Sequence, residues 1–265
     1  MNGSRAWRTG RAGATLLLVA LPAAFVAGHA FTAGTTWNHA TGAAFSPWAN
    51  YVSDYAYRSP VWWLFVGCMY ALALLLGLLS LASALRPGGR PVLAWLCSSL
   101  LAFAGLKLCE VALFPVKPPE ITVEQLQARM DASTWQRLKD EIHRAGLSLR
   151  GGAPGREPTV MDLVAAHESN ANHLLGITPA MAAIFVTMLL LPLQHPARWR
   201  SPGRRLLLAL ALLMTVMATP GTGWFGAQVG LAQRLGFLGV YLWLWLCRGA
   251  VADQDSAASG RLISR

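Results

Sequence analysis

The chain has 265 residues, 54% of them hydrophobic and only 13% charged, against roughly 25% charged residues in a soluble domain. That excludes an ordinary soluble fold, and uncharged runs at 59–85, 169–197 and 206–233 each exceed the roughly 20 apolar residues that cross a bilayer core. The formal charge of +10 raises nucleic acid as a partner, but the distribution of the basic residues argues against it.

Six transmembrane helices are expected, in an all-α bundle forming a single membrane domain over 1–265. The first spans about 12–34. Its arginine-rich start and Gly28-His29-Ala30 mimic a signal peptide with a cleavage site. An uncleaved helix is the better reading, because removing it leaves five spans and puts the termini on opposite sides. Residues 35–60 form an outer loop rich in Trp, Tyr, Ser and Asn. Pro60 and Trp62-Trp63 open the second helix, about 61–85, and Arg86-Pro87-Gly88-Gly89-Arg90-Pro91 breaks the chain before the third, about 91–114.

Residues 115–169 are the only sizeable extramembrane piece, with seven Lys and Arg against eight Asp and Glu. Two short amphipathic helices and the loop 150–155 read as a small extracytoplasmic cap, with too little apolar surface to be a domain alone. The fourth helix covers about 170–193, with Pro179 expected to kink it. The fifth covers about 204–219 and the sixth about 226–248, where Gly226 and Gly230 offer a small-xxx-small surface for helix packing.

Twelve of the 22 Lys and Arg lie in segments that this topology places on one side: Arg5, Arg8, Arg11, Arg86, Arg90, Arg198, Arg200, Arg204, Arg205, Arg248, Arg261 and Arg265. Only Asp253 and Asp255 oppose them there. Cationic loops stay cytoplasmic, so both termini are expected inside, in a bacterial inner membrane. The basic residues then meet lipid headgroups rather than nucleic acid. The four cysteines, Cys68, Cys97, Cys109 and Cys247, form no CxxC pair and read as apolar packing residues.

The membrane-embedded polar residues are one-sided. His29, Lys107, Glu110, Asn170, Asn172, His173, Gln233 and Arg234 all fall within roughly 12 Å of the outer boundary at 1.5 Å per residue. Asp54, Arg58 and His167 lie in adjoining loops, and the inner halves of the helices carry no charge. A charge at mid-bilayer costs about 2.5–3.5 kcal/mol on insertion scales, so such residues pair or line a cavity. Lys107 and Glu110 share a helix face, and Glu110 has Arg234 as a second possible partner. The site expected is an outward-facing polar pocket of Lys107, Glu110, His173, Arg234, His29 and Asp54, holding a headgroup through Arg234 and Lys107. The alternative is that the two cations simply snorkel.

No cofactor is implied. His167-Glu168 starts like an HExxH helix, but the next histidine, His173, is six residues on and about 600° round the helix. A metal shared between His29, His173 and Asp54 or Glu110, or haem between the two histidines, lacks local support.

Three short stretches carry a resemblance: Ser53-Asp54-Tyr55-Ala56, Leu113-Phe114-Pro115, and Gly230-Leu231-Ala232-Gln233-Arg234-Leu235 with Trp243. With the helix layout they resemble the domain of unknown function 998 family of six-helix prokaryotic membrane proteins. That family is itself similar to Frag/DRAM/Sfk-type membrane proteins linked to lipid homeostasis. Here Lys117 stands where the family continues with an acid, and some fifty residues precede His173. The resemblance implies a membrane fold and no reaction.

Binding of a membrane lipid or small amphiphile in the outer pocket is the leading expectation. A membrane enzyme acting on a lipid headgroup through His29, Glu110 or His173 is the alternative. A transporter is disfavoured because the inner halves lack a polar path.

Overall fold

The computed structural model describes residues 3–32, 36–38, 43–48, 50–53, 59, 61–85, 90–114, 160–218 and 228–248. Within these, the chain is helical: α1 (Gly3–Thr32), α2 (Trp62–Leu85), α3 (Pro91–Leu113), α4 (Val160–Gln194), α5 (Pro202–Met217) and α6 (Val229–Cys247). A 3-10 turn, Pro196–Trp199, joins α4 to α5. Five stretches are long and apolar enough to cross a membrane: Ala12–Thr32, Trp62–Leu85, Pro91–Leu113, Ala171–Gln194 and Val229–Cys247. The fifth expected span, α5, has 16 residues and is therefore about 24 Å long, short of the roughly 30 Å hydrocarbon core.

Two further differences from the sequence reading concern boundaries. Residues 160–169 belong to α4, which runs unbroken through Pro179 from Val160; the rest of the expected cap, 115–159, lies outside the described residues. The 35–60 loop contains a short antiparallel ribbon, β1 (Thr36–Asn38) with β2 (Ala43–Ala44). The β-branched and aromatic run Thr35-Thr36-Trp37 suits such pairing.

Helices adjacent in sequence pack antiparallel, and hydrogen bonds that cannot be made to lipid record the register. Gly105 meets Ala73, Ser80 Oγ donates to the Ser98 carbonyl at 2.8 Å, and Ser83 Oγ approaches the Ala94 carbonyl, so α2 and α3 run in opposite directions. Gly176 rests on Lys107 and Val111 while Arg90 reaches Leu193, which sets α4 against α3 in the same way. Ser83 Oγ also donates to Gln194 Oε1 at 2.9 Å, tying the ends of α2 and α4. α1 runs against α6, with the Tyr241 hydroxyl donating to the Leu18 carbonyl at 2.6 Å. α1 is thus bonded into the bundle.

The core is one cluster, centred on fully buried Leu76, Leu101, Leu108, Ile184, Met188 and Trp243. The outward faces are apolar, with Leu16, Val92, Leu106, Leu174, Leu206 and Leu238 among the exposed residues. An inside-and-outside apolar helix is what a bilayer solvent requires.

The α5–α6 seam depends on glycine. A Cβ at Gly239 would stand 2.7 Å from the Ala211 carbonyl and 2.9 Å from Thr215 Oγ1; one at Gly236 would press on Ala218 at 2.5 Å. These two form a small-residue face that receives another helix, whereas Gly230 meets the Asn50 and Pro47 carbonyls and Gly226 lies outside the described residues. Gly239→Leu is expected to lower stability by about 1–3 kcal/mol through overpacking. Gly77→Leu, where a side chain meets nothing within 4 Å, should cost far less. Thermal unfolding of both variants in detergent makes the comparison; equal losses would contradict the seam.

Candidate functional site

The most densely bonded polar group forms where the 45–53 segment meets the start of α6. The first turn of a helix has N–H groups with no internal acceptor, and Gln228 at the N-cap of α6 makes no side-chain cap bond. The loop supplies acceptors instead. Leu231 N–H donates to the Trp48 carbonyl at 3.1 Å, and the loop returns Val52 N–H to Gln233 Oε1 at 2.5 Å. Asn50 shapes the loop, its Oδ1 accepting from Ser46 N–H at 2.8 Å and its own N–H donating to the Ser46 carbonyl. Phe45, Asn50, Val52 and Ser53 are buried. Gly230 permits the approach, since a Cβ there would lie 2.7 Å from the Pro47 carbonyl and closer still to that of Asn50.

Arg234 binds this loop to α1. Its NH1 donates to the carbonyls of Asn50 at 2.9 Å and Gly230 at 2.7 Å, and its Nε donates to His29 Nε2 at 2.6 Å. His29 Nδ1 faces the Phe25 carbonyl at 2.7 Å, so Nδ1 carries the proton and Nε2 is the acceptor: a neutral imidazole with a defined tautomer. Its ring lies 4.5 Å from that of Phe25. Beside it, Thr32 and Ser59 hydroxyls meet at 2.6 Å, joining the end of α1 to the entry of α2.

A second polar group lies on α3 and α4. Lys107 Nζ donates to Glu110 Oε2 at 2.6 Å, one turn along the same helix. These side chains keep 28% and 32% of their exposure, and among the described residues each is the other's only side-chain partner. Phe103, Leu106, Leu113 and Phe114, at the same helical spacing, are exposed beside them. His173, by contrast, is buried, and its Nδ1 donates to the Phe114 carbonyl at 2.9 Å. That bond satisfies a carbonyl at the end of α3 which the helix itself leaves open.

The expected single cluster is therefore two groups. Arg234 reaches His29 rather than Glu110, whose partner is Lys107. Asp54, with Arg58, lies outside the described residues. Asn50 and Ser59 escaped the expectation because a loop acceptor has no sequence signature of its own; the local cue was the polar, aromatic-rich composition of 45–59. A small cavity borders His29, Val52, Ser59, Phe65 and Cys68, with about 20 Å³ for the centre of a water-sized molecule. That holds a water but is far below the roughly 300 Å³ of a ligand pocket. Among the described residues, no three His, Cys, Asp or Glu side chains gather as a metal would need.

The DUF998 family model, described as a protein of unknown function, matches residues 25–247. The chain belongs to the DUF998 family. No curated protein and no solved structure matches it. In this DUF998 chain two of the three stretches that carried the resemblance make contacts: Gly230–Arg234 receive Pro47, Asn50 and Val52, and Phe114 receives His173; of the first stretch, residues 54–56 lie outside the described residues. Both contacts are made by backbone carbonyls or amides, so the geometry is one of assembly.

Arg234→Met, which removes the donations to His29, Asn50 and Gly230, is expected to cost about 1–3 kcal/mol for the partners left without donors. His29→Phe should cost less. In a double-mutant cycle read by thermal unfolding, the pair should couple by more than about 0.5 kcal/mol. Additive losses would mean that the two residues act independently.

Proposed function

We propose that this DUF998 protein is a six-span protein of the bacterial inner membrane, with both termini cytoplasmic, that binds a lipid or other amphiphile at its outer face. What carries the binding reading is the half-buried Lys107–Glu110 pair: an ion pair beside exposed apolar side chains, near the end of α3, with no other described side chain to engage it. An ion pair that keeps about a third of its exposure adds little to stability, which leaves its placement in an apolar stripe without a packing purpose. A headgroup meeting the pair supplies one.

The topology rests on charge. Arg90, Arg198, Arg200, Arg204, Arg205 and Arg248 belong to the end of the bundle opposite Glu110, and several close helix or turn carbonyls there: Arg90 on Leu193, Arg204 on Arg198 and Arg205 on Arg200. Arg248 lies 3.8 Å over the Trp245 ring, an interfacial arrangement. Trp48, Trp62 and Trp63 are exposed at the other end, where an aromatic belt suits the outer interface. On this reading α5 crosses despite its length, the bilayer thinning to meet a short helix.

The enzyme alternative would use His29, Glu110 or His173. Both histidines already have partners in the assembly, His29 in Arg234 and Phe25 and His173 in Phe114, which leaves Glu110 no histidine to work with. Binding is therefore the reading preferred.

Labels placed at Gly152 and Gly203 should report opposite sides of the membrane, with Gly203 cytoplasmic; the same side for both would overturn the topology. Protein purified in mild detergent should retain phospholipid, and Lys107→Ala with Glu110→Ala should reduce it several-fold by native mass spectrometry without loss of the folded state. Retention unchanged in the double variant would remove the pair from the site.

A further inference from the structure

Lys107 and Glu110 present two opposite charges in a fixed order along the helix, and the order carries chemical information. α3 ends at Leu113, so at 1.5 Å per residue Glu110 is about 4.5 Å and Lys107 about 9 Å from the last helical residue. A lone lysine at that depth needs no counter-ion, because its stem reaches the interface by itself. A carboxylate one turn from a helix C-terminus is set against the negative end of the macrodipole. Glu110 is thus the residue that snorkelling does not account for. It sits beside a cation, on the exposed stripe shared with Phe103, Leu106 and Leu113.

We infer that the Lys107–Glu110 pair on the exposed face of α3 binds a zwitterionic phospholipid whose headgroup ends in a primary ammonium, the lysine taking the phosphate and the carboxylate taking the ammonium. This deepens the proposed lipid-binding reading and rests on it. Two charge-assisted contacts of opposite sign match the headgroup's own pair of charges, and the flanking apolar stripe lies alongside the acyl chains. A quaternary ammonium has no N–H to give Glu110, and a glycerol headgroup brings no cation. The pair therefore discriminates by the donor at the end of the headgroup and not by phosphate.

The full chain, delipidated in detergent and titrated separately with phosphatidylethanolamine, phosphatidylcholine and phosphatidylglycerol, separates the possibilities by native mass spectrometry. Phosphatidylethanolamine should bind about tenfold more tightly than phosphatidylcholine, the discrimination that one charge-assisted hydrogen bond supplies. Glu110→Gln, which keeps the shape of the side chain, should abolish that preference, phosphatidylethanolamine losing more affinity than phosphatidylcholine. Lys107→Met should weaken all three lipids. Size-exclusion behaviour and thermal unfolding of each variant establish that it is folded. Should Glu110→Gln unfold the protein, the wild-type ratio between ethanolamine and choline lipids still decides. Equal binding of all three lipids, or a preference for phosphatidylglycerol lost in Lys107→Met alone, would overturn the headgroup inference and leave the broader lipid reading standing. Binding of none of them would overturn both.

Discussion

Inside a bilayer there is no water to satisfy a polar group, so each one must be answered by protein. That constraint organises the whole bundle. Ser80 on the Ser98 carbonyl, Ser83 with Gln194, and Tyr241 on the Leu18 carbonyl are each the local answer to a buried hydroxyl or amide, and together they fix which helix meets which and in what register. Thr187 and Thr215 answer the same demand within their own helices, on Ala183 and Ala211. Among the described residues the buried indole N–H groups of Trp199 and Trp243 are exceptions, and the structure offers no account of them.

The same constraint explains the division between the two polar groups at the loop end. Arginine carries a rigid fork of directed donors, and among the described residues Arg234 directs them at one imidazole and two carbonyls belonging to α1, the loop and its own helix. Lysine is a mobile point charge. Lys107 touches one carboxylate and keeps part of its exposure. The first arrangement builds; the second remains available. His29 and His173, which a reading for chemistry picks out first, both direct Nδ1 to backbone carbonyls and so serve assembly.

Much of this was legible in the chain. Runs without charge marked the membrane class and five of the spans, short stretches such as Gly230–Leu235 carried the resemblance to the family, and helix rise placed His29, Glu110, His173 and Arg234 at one end. Partnership was not legible. Periodicity says which face of a helix is apolar but not which neighbour it meets: Gly230 seats loop carbonyls, and the helix seam falls at Gly236 and Gly239. Arg234 was given Glu110 as a possible partner on charge. A neutral histidine with a free lone pair competes for a guanidinium when burial places it closer, and only the fold reveals that. The start of α4 was misplaced because residues 160–169 are polar enough to resemble a loop, yet a helix that leaves the membrane keeps its internal hydrogen bonds and can run on into water.

The central claim is that, at the loop end of the bundle, Arg234 is a structural group held on His29, Asn50 and Gly230, while the half-buried Lys107–Glu110 pair is the one that meets a lipid headgroup. A high-resolution map of the protein in a phosphatidylethanolamine-containing nanodisc tests it directly. The account predicts headgroup density within hydrogen-bonding reach of Lys107 Nζ and the Glu110 carboxylate, with Arg234 still on His29 and the 45–53 loop. Headgroup density at Arg234 instead, with the Lys107–Glu110 pair bare or covered by protein, would contradict it.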